Sequence, residues 1–473
     1  LMKKIVNTAL AAVLCAGCFA GFAACGKDNG KIKVELGMWP EANLTQDIAM
    51  YRHWKEEFEK ENPEYEIIPS NYTYNLQSFI SDADSGVLPT VFQTWMTEPP
   101  SLIESGYIRD ITDQLEELGW IDKLDENMIA NLIVDNRIYG VPRDGYALGL
   151  MINKKLFADV GIFYDSDGDG IVDIVDEEGN PLYPTTFEEI YEASRIICES
   201  TEAKGLAVLS SNQNGGWQFS NLAWNFGATL QEKTADGKWV SHLDSDECVA
   251  ALEWIQTMKQ EDLLAPGVTL PYSDWYKLIG TGSVAMCFAG SDAISMPVTN
   301  YNFNKDDLVL VPMPSDGVHK AYTLYGGTPF VFSKDATDEQ VLGALKFLEY
   351  MGRSPEVSEI AKEAIELGHQ TAQSKGMPIT PTLKPWKNLD YIAMVEEIEP
   401  KYINVNMNYF QAFFDSIDAM QRVEGPNYCQ KMYEELDRAI QSVLEHPSTA
   451  NPRALLSTAN SNFSERYLSK LNK

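Results

Sequence analysis

The chain has 473 residues, 44% of them hydrophobic, and 69 acidic against 37 basic side chains for a formal net charge of −32. Such a balance argues against a nucleic-acid partner, because phosphate binding calls for clustered Lys and Arg. The length and apolar share allow two or three domains with sizeable cores.

Lys3 and Lys4 lead an apolar, small-residue stretch from Ala9 to Ala24, which is the layout of an export signal over residues 1–24. After Cys25 the chain turns to Gly, Lys, Asp, Asn and Gly. A permanent membrane anchor would instead continue into basic residues, and no other window holds the ~18 apolar residues of a spanning helix. Ala23-Ala24 before Cys25 resembles a bacterial lipobox, with CAGC at 15–18 as a competing register. That resemblance implies a lipid on the Cys25 thiol, and a protein tethered by residues 25–31 to the outer face of the cytoplasmic membrane.

KIKVELGMW (31–39) alternates Ile32, Val34 and Leu36 with charged residues, the period of a strand. The next segment places Ile48, Tyr51, Trp54 and Phe58 on one helical face and stops at Asn62-Pro63. EYEIIP then reads as a second strand and PTVFQTW (89–95) as a third, so strand, helix, strand predicts a βαβ unit in a largely parallel sheet.

Residues 165–176 carry acidic side chains at positions 1, 3, 5, 9 and 12 of a loop: Asp165, Asp167, Asp169, Asp173 and Asp176. Gly170 stands at position 6, and Ile171 offers its carbonyl at position 7. That spacing is the EF-hand calcium pattern, which wraps six to eight oxygens around a hard cation. It resembles the loop of dockerin and other extracellular calcium loops, although no second loop is present. Structural calcium is the expectation, against the plainer reading of a solvated acidic loop.

Thr185 and Thr186 precede FEEIYEASRIICE with Thr-x-x-Glu twice, a helix-start signature. DLVLVPMP (307–314) and TPFVFS (328–333) read as strands, DEQVLGALKFLEYM (338–351) as an amphipathic helix, and the chain beyond about 390 as mainly helical. Beyond Cys25 the cysteines are Cys198, Cys248, Cys287 and Cys429. With no CxxC pair among them zinc is not expected, and three disulfide pairings or free thiols all stay open.

Five segments together resemble the family-1 extracellular solute-binding proteins of ABC transporters, the sugar binders related to maltose-binding protein. They are FEKENPEYEI (58–67), LIESGYIRDITDQLEE (102–117), RIYGVPRDGYALGLMINKKLF (137–157), GTGSVAMCFAGSDAI (280–294) and YGGTPFVFSKDATDEQVLGALKFLEYM (325–351). The resemblance implies an α/β, two-lobed periplasmic-binding-protein-like fold of type II, with a hinge between lobes and the acidic loop as an insertion. Lobe one is expected at 32–143 plus 326–375, and lobe two at 144–325 plus 376–473. It also implies a monomeric receptor that hands a small carbohydrate to ABC permease subunits.

A sugar offers C–H faces to aromatic rings and hydroxyls to polar side chains. Trp39, Trp95, Trp217, Trp224, Trp275 and Tyr325 lie near predicted strand ends or in loops, where cleft residues belong. Trp224 reads equally well as helix core, whereas Trp54 and Trp254, at helical spacing among apolar neighbours, read as core. Glu41, Gln93 and Asp292 are candidate hydroxyl partners, and the resemblance puts Asp144 and Tyr146 at the cleft floor. Motifs for a zinc hydrolase, a nucleophile elbow or a nucleotide loop are missing from the sequence, and no enzyme is expected. A glycoside hydrolase built on two carboxylates, a calcium-dependent adhesin, and a binder of peptides or polyamines are the alternatives.

Overall fold

The computed structural model describes residues 30–472, so the expected signal 1–24, Cys25 and most of the tether lie outside the described residues. Nine strands form one sheet: β1 (Ile32–Leu36), β2 (Tyr65–Pro69), β3 (Val91–Gln93), β4 (Gly140–Asn153), β5 (Lys204–Ala207), β6 (Val284–Gly290), β7 (Leu308–Val311), β8 (Thr323–Phe332) and β9 (Gln421–Val423). The helices that matter for the site are α1 (Thr45–Glu61), α2 (Phe187–Ser200), α3 (Asn214–Trp224), α4 (Tyr272–Gly280), α5 (Asp338–Tyr350), α6 (Glu359–Ser374), α7 (Leu389–Ile398) and α8 (Cys429–Glu445).

The strand order is β2-β1-β3-β8-β4-β6-β5, with β7 also paired to β4 and β9 to β8. β1 runs parallel to β2 and β3, as helical crossovers require. α1 buries Trp54 and Phe58, ends at Glu61 and is closed by Asn62, whose amide donates to the Phe58 carbonyl (3.0 Å). Helical backbone at Asn62 would clash with the Pro63 ring, so the stop is steric. α2 starts in a capping box: Glu189 N–H donates to the Thr186 hydroxyl (3.2 Å), and the Glu189 carboxylate accepts from Thr186 N–H (3.1 Å).

Two cores flank the sheet. Lobe one gathers Val34, Phe58, Val91, Val141, Phe330 and Phe347. Lobe two gathers Leu150, Ile152, Phe219, Trp275, Met286 and Leu436. β4 belongs to both lobes. Its first half pairs antiparallel with β8 from Gly140 to Ala147, and its second half pairs with β6 and β7 from Leu148 to Asn153. β8 makes the return crossing, and β9 lies parallel beside its first three residues. At the crossing a Cβ on Gly327 would lie 2.2 Å from the Asp144 carbonyl oxygen, so only glycine lets the strands approach this closely. Three strands therefore bundle at the junction, and two of them run on into the lobes as a hinge.

One boundary differs from expectation. Trp386, Tyr391, Met394, Val395 and Ile398 pack into the core of lobe one, whereas the sequence reading assigns 376–473 wholly to lobe two. Tyr409, Phe410 and Phe413 join the core of lobe two, so the chain changes lobe between residues 398 and 409. An apolar helix face demands a core without naming which one, and both lobes offer one here. Cys198, Cys248, Cys287 and Cys429 are free thiols, the last three buried. No helix among the described residues is long and apolar enough to cross a membrane.

Candidate functional site

A 440 Å³ cavity opens between the lobes. Its lobe-one wall comes from α1 (Asp47, Met50), α6 (His369) and the Lys375 that follows it, and the turn after α5 (Arg353). Lobe two contributes Ser291, Asp292 and Ser295 from the turn after β6, and the hinge residues Asp144 and Gly145 form the floor.

Arg143 organises the floor. Its Nε donates to Asp144 (2.7 Å), its Nη1 to Gln93 Oε1 (2.9 Å) and its Nη2 to the Thr328 hydroxyl (3.4 Å). One guanidinium thereby ties the ends of β3 and β8 to the hinge, using the fixed fork of donors that Lys lacks. Lys375 is engaged with Asp47 at 2.6 Å. Asp292 differs from Asp47 and Asp144: no side-chain hydrogen bond or ion pair reaches its carboxylate among the described residues. The carboxylate remains open to solvent at the cavity mouth while protein crowds its other sides. Burial, and next the Asp144 charge, push its pKa up to about 6, with Arg143 pulling the other way.

Beside Asp292 runs a row of aromatic rings. Tyr146 on β4 meets Trp217 on α3 at 6.1 Å between centroids, Trp217 meets Tyr272 on α4 at 5.7 Å, and Tyr272 meets Tyr276 at 5.5 Å. Burial raises the phenol pKa of Tyr146 and Tyr272, so both stay neutral hydroxyls through the physiological range. On lobe one, Trp39 packs edge-on against Tyr51 (5.4 Å), which packs on Trp54 (5.0 Å).

The expected residues thus divide. Gln93, Asp144, Tyr146, Trp217 and Asp292 gather at the hinge and the lobe-two wall, while Trp39 is half-buried on lobe one. Glu41 stands exposed in the turn before α1, and Trp95 is exposed against Tyr74. Three candidates are corrected to interior positions: Trp275 is fully buried, and Trp224 and Tyr325 are buried as well. On α4 the residue that turns toward Asp292 is Tyr272, one helical turn before Trp275. The Trp224 ring is covered by the Arg422 guanidinium at 4.6 Å. Sequence reasoning missed Arg143, Tyr272 and Tyr51. Arg143 stands beside Asp144 in the quoted crossover segment and was the accessible signal.

The acidic loop holds a smaller cluster than its spacing predicts. Carboxylate oxygens of Asp165, Asp167 and Asp173 lie within 4.8 Å of one another, an all-oxygen donor set fit for a hard cation. Asp165 accepts from Gly168 N–H (2.7 Å) and Gly170 N–H (2.9 Å), and Gly170 supplies the turn with φ of 86°. The Tyr409 hydroxyl pins the loop to lobe two through the Val172 carbonyl (2.8 Å). Asp169 and Asp176 stand outside the cluster. Asp169 accepts from Ile171 N–H (2.7 Å), and Asp176 closes the following turn by accepting from Asn180 N–H (2.7 Å) and Nδ2 (2.9 Å), which lowers its pKa.

With this geometry in hand, the family model described as bacterial extracellular solute-binding protein matches residues 41–356. The chain belongs to that family. It is a solute-binding protein, not an enzyme. Among curated proteins, the diacetylchitobiose binding protein DasA of Streptomyces coelicolor is 25% identical over 259 residues. That match covers 52% of this solute-binding protein and 54% of DasA, about half the length of each. Among solved structures, an ABC substrate-binding protein from Listeria monocytogenes in complex with cycloalternan aligns with TM-score 0.65 at 17% identity, covering 92% of this chain and 98% of that one. UgpB from Mycobacterium tuberculosis in complex with glycerophosphocholine aligns with TM-score 0.63 at 14% identity, covering 93% and 98%. These likenesses establish the two-lobed fold.

Proposed function

We propose that the protein is a lipid-anchored receptor that captures a carbohydrate, most simply an oligosaccharide, outside the cytoplasmic membrane and delivers it to an ABC permease. The observation that carries this reading is the cavity between two hinged lobes, lined by Asp144 and Asp292, with the row Tyr146, Trp217 and Tyr272 adjoining Asp292 and the Arg143–Gln93 pair adjoining Asp144. Rings pack sugar C–H faces, and the polar groups pair with hydroxyls. DasA and the cycloalternan complex bear sugar ligands in their names, which accords with the reading.

Open and closed lobe arrangements exchange about the hinge, and a ligand held by both walls favours the closed one. The closed form is what a permease recognises, and ATP is spent by other subunits. Lipidation at Cys25, a monomeric state and a structural calcium held by Asp165, Asp167 and Asp173 belong to the same reading. In that arrangement Asp169, the Ile171 carbonyl and Asp176 complete the ion's shell only if the loop tightens.

Thermal shift against a panel of mono- and oligosaccharides tests it. A ligand at a hundred times its dissociation constant adds about 2.7 kcal/mol, roughly a few degrees. A selective shift with no product formed supports the receptor reading. Shifts confined to peptides, polyamines or glycerophosphodiesters would replace the sugar with that class.

A further inference from the structure

The charges around the cavity do not cancel at its lobe-two end. Asp144 and Asp292 share a single nearby cation, Arg143, and its fork is already committed to Asp144, Gln93 and Thr328. Lys375 is held by Asp47 across the cavity. Arg353 donates to the Arg143 carbonyl (3.4 Å), and its charge falls on Tyr51, Tyr391 and His369 of lobe one. Asp292 is left as a carboxylate whose one donor is its own backbone N–H, with no side chain bonded to it among the described residues.

What surrounds it is aromatic. Its charge acts on the phenols of Tyr146, Tyr272 and Tyr276, three of the four rings in the contiguous row. The crowding shows at Gly290: a Cβ there would sit 2.6 Å from the Asp292 carboxylate, 3.3 Å from the Tyr272 hydroxyl and 3.7 Å from the Tyr146 ring. The backbone is bare where the carboxylate and the two rings converge. A carboxylate with only a shared counter-ion among electron-rich rings is the chemistry that takes up a cation, since ring quadrupole and carboxylate both attract it. A neutral hydroxyl would satisfy a lone pair and leave the charge in place.

We infer that the ligand carries a protonated amine, and that Asp292 with Tyr146 and Tyr272 receives it, so the cargo is an aminated saccharide. This rests on the carbohydrate reading above and narrows it. The ammonium supplies charged N–H donors beyond the backbone N–H that Asp292 already has, and restores one cation per carboxylate at the hinge. Charge-assisted hydrogen bonds of this kind are the strong ones.

The experiment compares β-1,4-linked glucosamine dimers and trimers with their fully N-acetylated counterparts by calorimetry at pH 7, on the parent protein and on Asp292→Asn. Acetylation removes the charge and keeps the ring. The free-amine form is expected to bind about ten- to a hundredfold more tightly. Asp292→Asn should erase that advantage, so that the variant binds the two forms within about threefold of each other, and a melting temperature like the parent's shows that it is folded. Equal or tighter binding of the acetylated form overturns the inference while the receptor reading stands. So does an Asp292→Asn loss common to both ligands, which would make Asp292 a hydroxyl acceptor. Binding of neither form, with neutral saccharides from the wider panel bound, refutes the amine. No saccharide bound at all refutes both readings.

Discussion

Two tryptophans separate what holds the fold from what touches the ligand. Trp217 is half-buried, with its ring between Tyr146 and Tyr272 in the aromatic row of lobe two. Trp275 is fully buried among the core of the same lobe, edge-on to Tyr276 at 4.7 Å. Trp217→Ala is expected to weaken sugar binding about ten- to a hundredfold with a melting temperature close to the parent, because stacking surface is lost and little core is disturbed. Trp275→Ala leaves a cavity in close-packed interior and should cost about 3–5 kcal/mol of stability. Calorimetry and thermal melts on the pair check this. A Trp217→Ala variant that binds as the parent does would remove that ring from the site. The periodicity of PYSDWYK was enough to predict a helix. It did not tell which of Tyr272, Trp275 and Tyr276 turns toward Asp292, because that choice depends on how α4 rotates against β6, and no local signal carries the rotation.

At the scale of elements, the readable ones were those whose causes are local. α1 stops where Pro63 forbids another turn, and α2 starts where Thr186 and Glu189 satisfy each other's backbone. β4 was found as a crossover through its resemblance to the family segment, and its 14 residues do span both lobes. The destination of the 376–398 segment was not readable, since Trp386 and Tyr391 find their core only through partners far away in the chain. The acidic loop sits between these cases. Its spacing brought Asp165, Asp167 and Asp173 together, whereas Asp176 took the nearer donors of Asn180. If calcium occupies the cluster with the weak affinity usual for extracellular modules, millimolar ion adds about 1–2 kcal/mol, roughly 2–4 °C. Adding a chelator should remove that increment, and Asp165→Asn should lower the melt in calcium while making it insensitive to chelator. A melt of the parent that is the same in calcium and chelator would reduce the loop to a solvated turn.

At the scale of the whole molecule, the lobes also meet where β9 flanks β8, and acidic groups from both lobes are buried there. Glu98 of lobe one accepts from the Tyr74 hydroxyl, and Glu424, just past β9, accepts from the Tyr433 hydroxyl (2.6 Å). Gln430 on α8 donates across the junction to Thr97 (2.8 Å). Burial raises the pKa of Glu98, with Tyr74, Thr97 and Lys431 pulling it down, and Cys429 and Tyr146 complete the neighbourhood of Glu424. Burial first, and the Glu98 charge after it, push Glu424 up to about 7 from an ordinary 4.5, with Tyr433 pulling it down. The folded protein therefore binds a proton that the unfolded chain releases between those values, and stability falls as pH rises through that window. The contribution is whole below about pH 4.5, declines toward pH 7 and is gone above it, a change on the order of 3 kcal/mol. Glu424→Gln keeps an oxygen for Tyr433 and removes the ionisation. Its melting temperature should match the parent near pH 4.5 and exceed it increasingly up to pH 8, by several degrees. Melts at pH 5, 6, 7 and 8 on both proteins measure that gap. Parallel profiles would mean that Glu424 stays charged in the fold, and that water or Lys431 reaches it. A widening gap would show that the junction of the lobes is held by a shared proton, so that pH acts on the same strands that carry the hinge.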